Sequence, residues 1–467
     1  MKEKQIRSVL KDLIYKYKNH QSPVEFNFKE FAIEYLKERR SNNYPHNIYS
    51  YPAKVYPYIP LFFLSSAELC PSDGIVLDPF VGSGTVLLES LINPFCKRSV
   101  FGVELNPLGR LISKVKTTPM DTENAEKLLI KLKYFYKNEK KYDLPQFSNI
   151  NVWFSQNAIT KLSKLKHAIE AIDCSNDLKD FLWLCFAKVV RKVSNADPYI
   201  PPPVLLKINK YEKSPDKYQK VKMLMAYNEN PAVCEIFEKI FNDNLAKIKS
   251  LNDIEEIREK LIKAEVIWDD ARNIKKGLML TKGIIYKDRA SLLLSDRIDF
   301  IITSPPYLTA QKYIRTSKLE LLWLGVEERE LRKLDYNTIG TEVISAKDVK
   351  MIDEIGISSV DNLINCTCDK SPWRASSIYK YFRDMQLAIK EMYRVLKNDS
   401  YIILVVGNNK VLGKIVDTYR LLTDLACREG FKEILILKDS IRGRGMITKR
   451  HNSGGLINEE FIIVLKK

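Results

Sequence analysis

The spacing of apolar residues changes character several times along the chain. Through residues 1–45 they recur at helical intervals among lysines and arginines, which predicts a basic amphipathic helix at the start. The stretch 47–66, NIYSYPAKVYPYIPLFFLSS, is dense in Tyr and Pro and runs into another helix. GIVLDPF (74–80) is a short continuous apolar run, and the Gly-rich turn after it feeds a helix. SVFGVELN (99–106) repeats the pattern, ends in an acid and leads into the helical PLGRLISKVKTTP. Continuous apolar runs alternating with amphipathic helices predict buried strands of a parallel α/β sheet.

From about Met120 to Met279 strands become scarce. NAEKLLIKLKYFYKNEKKYD, AITKLSKLKHAIEAI and NLAKIKSLNDIEEIREKLIKAEVIWDDA all read as helices of an inserted region. Within it RKVSNADPYIPPPVLL (191–206) is a polar loop running into three prolines. The strand pattern returns in GIIYKDRASLLLSDRIDFIITSPPY (283–307), with strands at GIIYKD and IDFIITS. A polar segment, 326–376, shows no clear period. Then YKYFRDMQLAIKEMYRVL reads as an amphipathic helix, YIILVVGN as a strand and TYRLLTDLACREG as a helix closed by Gly430. No crossover helix separates EILILKDS from EEFIIVLKK, so these should be antiparallel neighbours. Three parts follow: 1–118, the cofactor-binding part of an α/β domain; 119–280, a helical insertion; and 281–467, the second part, with 326–376 as a variable segment.

Composition adds limits. The 467 residues are 45% hydrophobic and 28% charged, which suits a globular protein. The longest apolar run, FLWLCFAKVV (181–190), falls well short of the roughly 20 residues of a membrane span. The opening residues lack the continuous apolar core of a secretory signal. The eight cysteines form no C-x-x-C pair and have no histidine cluster beside them, so reduced thiols, a cytoplasmic protein and no metal are expected. The 75 Lys+Arg against 58 Asp+Glu leave a formal charge of +17. An excess of that size either solvates the surface or attracts a polyanion such as nucleic acid.

Two short stretches carry candidate chemistry. In DPFVGSGT, Asp78 ends a strand, Gly82 and Gly84 follow, and Thr85 opens a helix. Glycines there let the backbone curl against a ligand beneath a helix N-terminus. Glu104, at the end of the next strand, is placed to hold ribose hydroxyls. The third glycine of a dinucleotide fingerprint is missing, since position 87 is Leu, and no G-K-[ST] completes a phosphate-binding loop. Asp78 would repel phosphate and suit an ammonium group, which favours S-adenosylmethionine over NAD or ATP. The second stretch is TSPPY, 303–307, where two prolines fix two φ angles and remove two donors just after a strand.

With these motifs in their order, the chain resembles the amino-methylating DNA methyltransferases, which modify cytosine N4 or adenine N6. The resemblance covers roughly 45–118 and 283–467. YPAKVYP resembles the segment that holds the cofactor's methionine end, which implicates Tyr51, Pro52, Ala53 and Lys54. DPFVGSGT resembles the cofactor loop, implicating Asp78, Pro79, Phe80, Gly82, Gly84 and Thr85, and GVELNP supplies Glu104 and Asn106. YKDRA resembles the third contact and implies that Asp288 lies beside the adenine. TSPPY resembles the catalytic motif, Thr303, Ser304, Pro305, Pro306 and Tyr307.

The resemblance implies a seven-stranded, Rossmann-like S-adenosylmethionine-dependent methyltransferase sheet. It should be mostly parallel, with one reversed strand at its edge and the insertion above the strands' C-terminal ends. Ser304 and the Pro305 carbonyl would accept hydrogens from a base amine, and Tyr307 would stack on a base flipped out of duplex DNA. Serine before the prolines leans toward cytosine N4; adenine N6, or a catalytically silent DNA-binding module of this fold, are the alternatives. A cytosine C5 enzyme would need a nucleophilic cysteine, typically after proline, and the chain has no Pro-Cys.

The chain departs from the family in placing the cofactor half first, where serine-form members often have the reverse order. The insertion is the first candidate for reading DNA sequence, and 326–376 the second. The basic loop IRGRGMITKRHNSGG (441–455) offers Arg442, Arg444, Lys449 and Arg450 to phosphates. Asn195 and Asp197 either approach the base or form an Asx turn. Trp183 and Phe186 read as core. Any cleavage of DNA would come from a separate restriction or defence nuclease, since no nuclease motif is recognisable here.

Overall fold

The computed structural model describes residues 2–37, 44–52, 54–138, 142–268, 270–274, 295–308, 312–440 and 459–467. Its centre is a sheet of eight strands: β1 (Val24–Glu25), β2 (Val76–Asp78), β3 (Val100–Val103), β4 (Ala264–Trp268), β5 (Ile298–Thr303), β6 (Leu396–Gly407), β9 (Lys432–Ser440) and β10 (Glu459–Lys466). A small hairpin, β7 (Asn409–Val411) and β8 (Lys414–Val416), stands apart. The sheet order is β1-β9-β10-β6-β5-β2-β3-β4. Only β10 is reversed, pairing antiparallel with both β6 and β9. The result is a largely parallel α/β sheet with flanking helices, consistent with the expected Rossmann-like methyltransferase architecture.

Two details differ from expectation. The sheet has eight strands, and its reversed strand lies inside the edge. β10 inserts between β6 and β9, and β1 pairs beyond β9, Val24 opposite Leu437. The second detail concerns AEVIW, which sequence periodicity assigned to a helix. The helix Val233–Asn252 stops, a single helical turn at Glu255–Arg258 follows, and Ala264–Trp268 pairs parallel with β3. Its period is two, and pairing with β3 decided what the local pattern left ambiguous.

β2, β3, β5 and β6 read as near-continuous apolar runs because both faces of a parallel sheet are covered. Val76, Leu77, Val100, Phe300, Ile301, Ile302, Ile403 and Leu404 are all fully buried. The helices between 122 and 252 build a second core, centred on Phe181, Phe186, Phe237 and Phe241. Phe186 is buried there and Trp183 packs against it edge-on, as expected of core residues. The helix Asn176–Lys192 packs on Pro107–Thr117 and Lys318–Trp323, which follow the C-terminal ends of β3 and β5. The segment 326–376 holds helices at Glu328–Asn337, Ala346–Lys350 and Ser358–Cys368. No described helix is long and apolar enough to cross a membrane.

The connections from β2 run outward toward β3, and those from β5 run the other way toward β6. The sheet order therefore reverses between β2 and β5, where open α/β sheets form a crevice at their strands' C-terminal ends.

Candidate active site

At that reversal lies a cleft of about 720 Å³, counting its open mouth. The loops after β2 and β5 form its floor, and one network ties them together. Asp78, at the end of β2, is buried. Thr303, at the end of β5, donates its hydroxyl to Asp78 Oδ1 at 2.6 Å. The Phe80 amide donates to Asp78 Oδ1 at 3.1 Å and lies 3.2 Å from Thr303 Oγ1. Burial pushes the Asp78 carboxyl up to about 7, against the pull of the Thr303 and Phe80 hydrogen bonds.

The Gly loop then curls back over the end of β3. Gly82 and Gly84 have φ of +53° and +75°, left-handed values that favour glycine. The Gly82 amide donates to Glu104 Oε2 at 2.6 Å, and the Asn106 amide to Oε1 at 2.7 Å. Glu104 is thereby aimed along the cleft wall, with lone pairs left to accept from a ligand. Burial raises its carboxyl to about 7, opposed by those two amides and by Arg110. Asn106 caps the helix Pro107–Thr117 through Oδ1, and its amide donates to Tyr51 Oη at 3.1 Å and Ser317 Oγ at 3.2 Å.

The Pro loop is held from the other side. Ser304 donates its hydroxyl to Val405 O of β6 at 2.9 Å. A serine hydroxyl has one hydrogen; with that hydrogen committed, its lone pairs remain as acceptors.

Of the residues expected from sequence, the cleft is lined by Tyr51, Pro79, Phe80, Gly82, Glu104, Asn106, Ser304 and Pro306. Asp78 and Thr303 lie beneath it as the tie between the loops. Gly84 and Thr85 stand behind the wall: a Cβ on Gly84 would come within 2.7 Å of the Ser113 Cβ and 3.0 Å of its Cα. Lys54 faces away from the lining, donating to the carbonyls of His46 at 3.1 Å and Tyr49 at 2.7 Å. Burial, with Lys188 and Lys247 nearby, lowers its ammonium to about 8. Pro52 and Pro305 do not line the cleft either. Tyr307 is only 8% exposed and sits within electrostatic reach of Glu460, Tyr313 and Tyr381. Its ring is buried and is not among the residues that line the cleft. Ala53, Asp288, Arg442, Arg444, Lys449 and Arg450 lie outside the described residues.

Sequence reasoning missed part of the lining. Asp270 and Arg272 follow β4, and Tyr313, Asn337, Thr338 and Ile339 complete the far wall. Arg272 is bound at 2.8 Å to Asp270, at 3.0 Å to the buried Asp384 and at 3.0 Å to Asn337 O. Asp270 follows an apolar run as Asp78 and Glu104 do, and that shared signal could have found it. Asp197 forms the Asx turn, accepting from Tyr199 N at 3.0 Å, and Asn195 donates to Val152 O. No group of three or more potential metal ligands occurs among the described residues.

Comparison with known proteins follows the same line. The chain is 25% identical over 447 residues to the type II methyltransferase M.MvaI of Kocuria varians, covering 90% of both. It is 23% identical over 400 residues to the type II methyltransferase M.BsoBI of Geobacillus stearothermophilus, covering 77% of this chain and 74% of that relative. A shorter match, 31% over 116 residues, covers 23% of this chain and 20% of the type II methyltransferase M.MjaII of Methanocaldococcus jannaschii. No protein-family model matches the chain. The chain is thus a distant homologue of type II methyltransferases.

Proposed function

We propose that this protein transfers a methyl group from S-adenosylmethionine to the exocyclic N4 of cytosine in duplex DNA. The observation that carries the reading is Ser304, on the cleft floor with its hydrogen given to Val405. An exocyclic base amine is a poor nucleophile because its lone pair is conjugated into the ring. Acceptors on its two hydrogens draw it toward sp³ geometry and free that pair. Ser304 Oγ supplies one acceptor, set before substrate arrives; the Pro305 carbonyl, the other acceptor the family resemblance implies, belongs to a residue outside the cleft lining. The prolines hold the backbone so that no reorganisation is needed at the moment of reaction.

The cleft suits the cofactor by its place at the strands' C-terminal ends and by its donor set. Among the described lining residues Glu104 and Asp270 bring two carboxylates, and the one cation there, Arg272, is already held by Asp270 and Asp384. That balance repels a polyphosphate and accepts a nucleoside carrying positive charge. Glu104 would take the ribose hydroxyls, and Tyr51 and Phe80 would pack the apolar parts. Bound there, S-adenosylmethionine supplies an electrophilic methyl on a sulfonium. The formal charge of +17 fits a duplex partner, and Arg442, Arg444, Lys449 and Arg450 enter the reading as phosphate contacts on charge alone. The relatives' names as type II methyltransferases support a modification role beside a separate restriction nuclease.

The test is transfer of labelled methyl to unmethylated duplex DNA, followed by digestion to nucleosides and mass analysis, with Pro305→Ala alongside. N4-methylcytosine from the wild type and little from the variant is the expected result. N6-methyladenine would keep the mechanism and overturn the reading of Ser304 as a cytosine signal. Cofactor binding with no product on DNA would leave the silent DNA-binding module.

A further inference from the structure

The hairpin β7–β8 begins two residues after β6 ends and is fastened to the catalytic loop. Asn409 Nδ2 donates to the carbonyl of Leu308, the residue that follows TSPPY. Val405, which holds Ser304, lies four residues before the hairpin's first residue. The hairpin base therefore belongs to the same rigid unit as the amine acceptors. Asn409, Val411 and Val416 are buried against the protein. The other side and the tip face outward: Leu412 is 46% exposed and Ile415 68%. Lys410, Lys414 and Gly413 are exposed with them. Neither lysine has a carboxylate partner among the described residues.

The turn itself is informative. Its two central residues, Leu412 and Gly413, have φ of +48° and +82°. Two positive φ angles mark a type I′ turn, whose first position favours Asn, Asp or Gly. Leucine is a poor choice for that backbone and for an exposed tip. A local rule broken at an exposed position beside an active site points to function. An apolar side chain at a tight tip, flanked by two free cations, matches the wedges that enter a base stack between phosphate contacts.

We propose that this hairpin is the base-extrusion wedge: Leu412 fills the gap left in the duplex by the departing target base, while Lys410 and Lys414 hold flanking phosphates. The inference rests on the DNA-methylation reading above. Methylation of a base inside a duplex requires that base to leave the stack, and a side chain in the vacated space would slow its return. Among its described residues, 303–308, the catalytic loop offers no exposed side chain for this, and Tyr307 is buried. The hairpin supplies one at a fixed offset from Ser304.

The test uses Leu412→Asn, which suits the left-handed turn better than leucine and removes the wedge. The methylated site is first located on plasmid DNA, and two short duplexes carrying it are made, one paired normally and one with the target base mispaired. The expected result is a loss of about 10–100-fold in turnover on the paired duplex, with activity restored to near wild type on the mispaired one, because a mispaired base needs little help to leave. Thermal stability should be unchanged or higher. Equal activity of variant and wild type on the paired duplex would overturn the wedge. So would a loss that the mispair does not rescue. A wild type that leaves no methylated site on the plasmid would overturn the DNA-methylation reading, and the wedge with it. Lys410→Ala and Lys414→Ala should each lower the salt dependence of DNA binding by about one phosphate contact.

Discussion

The two loops that meet under the cleft fix their groups by opposite means. The loop after β2 uses conformational freedom: left-handed glycines bring a backbone amide onto Glu104 and let the next helix approach Ser113. The loop after β5 uses the lack of freedom: two prolines lock the chain, and two hydroxyls donate away from the ligand, Thr303 to Asp78 and Ser304 to Val405. The first loop positions an acid for a cofactor. The second presents acceptors to a substrate. Such a division predicts that damage to the Pro loop will appear mainly in turnover, and damage to the Gly loop mainly in stability and cofactor affinity.

The sharpest break should come from Ser304→Ala. Removing a preorganised polar group at the reacting centre should lower kcat by about 10²–10³-fold. Cofactor affinity by titration calorimetry should stay within about twofold, and a matching loss of affinity would refute the division between the loops. Gly84→Ala should act in the opposite sense. Its Cβ would meet Ser113 at 2.7 Å from a φ of +75°. Denaturant titration should show a loss of about 3 kcal/mol from strain and overpacking. Thr303→Val tests the tie between the loops. It removes the hydroxyl bound to a buried carboxyl, and should cost about 2 kcal/mol while lowering both turnover and cofactor affinity.

The smallest effect is a pH slope. Asp78 rises from 3.8 to about 7 on burial. The folded protein therefore keeps a proton that the unfolded chain releases between those values. Stability from this group is full below about pH 4, falls as pH rises, and is lost above about pH 7. Glu104 adds a slope of the same sign. Asp78→Asn keeps an acceptor for Thr303 and Phe80 and cannot ionise, so its melting temperature should exceed wild type at pH 8 and approach it at pH 4. The reverse order would show that Asp78 is held as a stabilised carboxylate.

The residues most legible in the sequence were those whose local pattern and tertiary role coincide. β2, β3 and β5 are near-continuous apolar runs because they are covered on both faces, and Glu104 and Ser304 sit where such runs end. β4 was misread because AEVIW continues a helical stretch, and only its pairing with β3 makes it a strand. The wall formed by Asn337, Thr338 and Ile339 was invisible for a related reason. It lies at the end of a polar helix whose place beside the cleft depends on contacts from distant segments, including Arg272 on the Asn337 carbonyl. Tyr307 shows the limit of a motif. The letters TSPPY do not say how far the ring is covered, and here it is buried and outside the cleft lining.

The register of the central strands also has a consequence during synthesis. Val76 pairs with Phe300, so the floor of the cleft cannot close until more than 200 further residues have been made. At about 5–20 residues per second, β2 and β3 would wait on the order of 10–40 s for β5. In that interval the helices between them can begin to pack, but their core closes only when Leu319, Trp323 and Leu331, made after β5, join it. Rare codons placed just before β5 would lengthen the time during which β2 stands unpaired and open to aggregation.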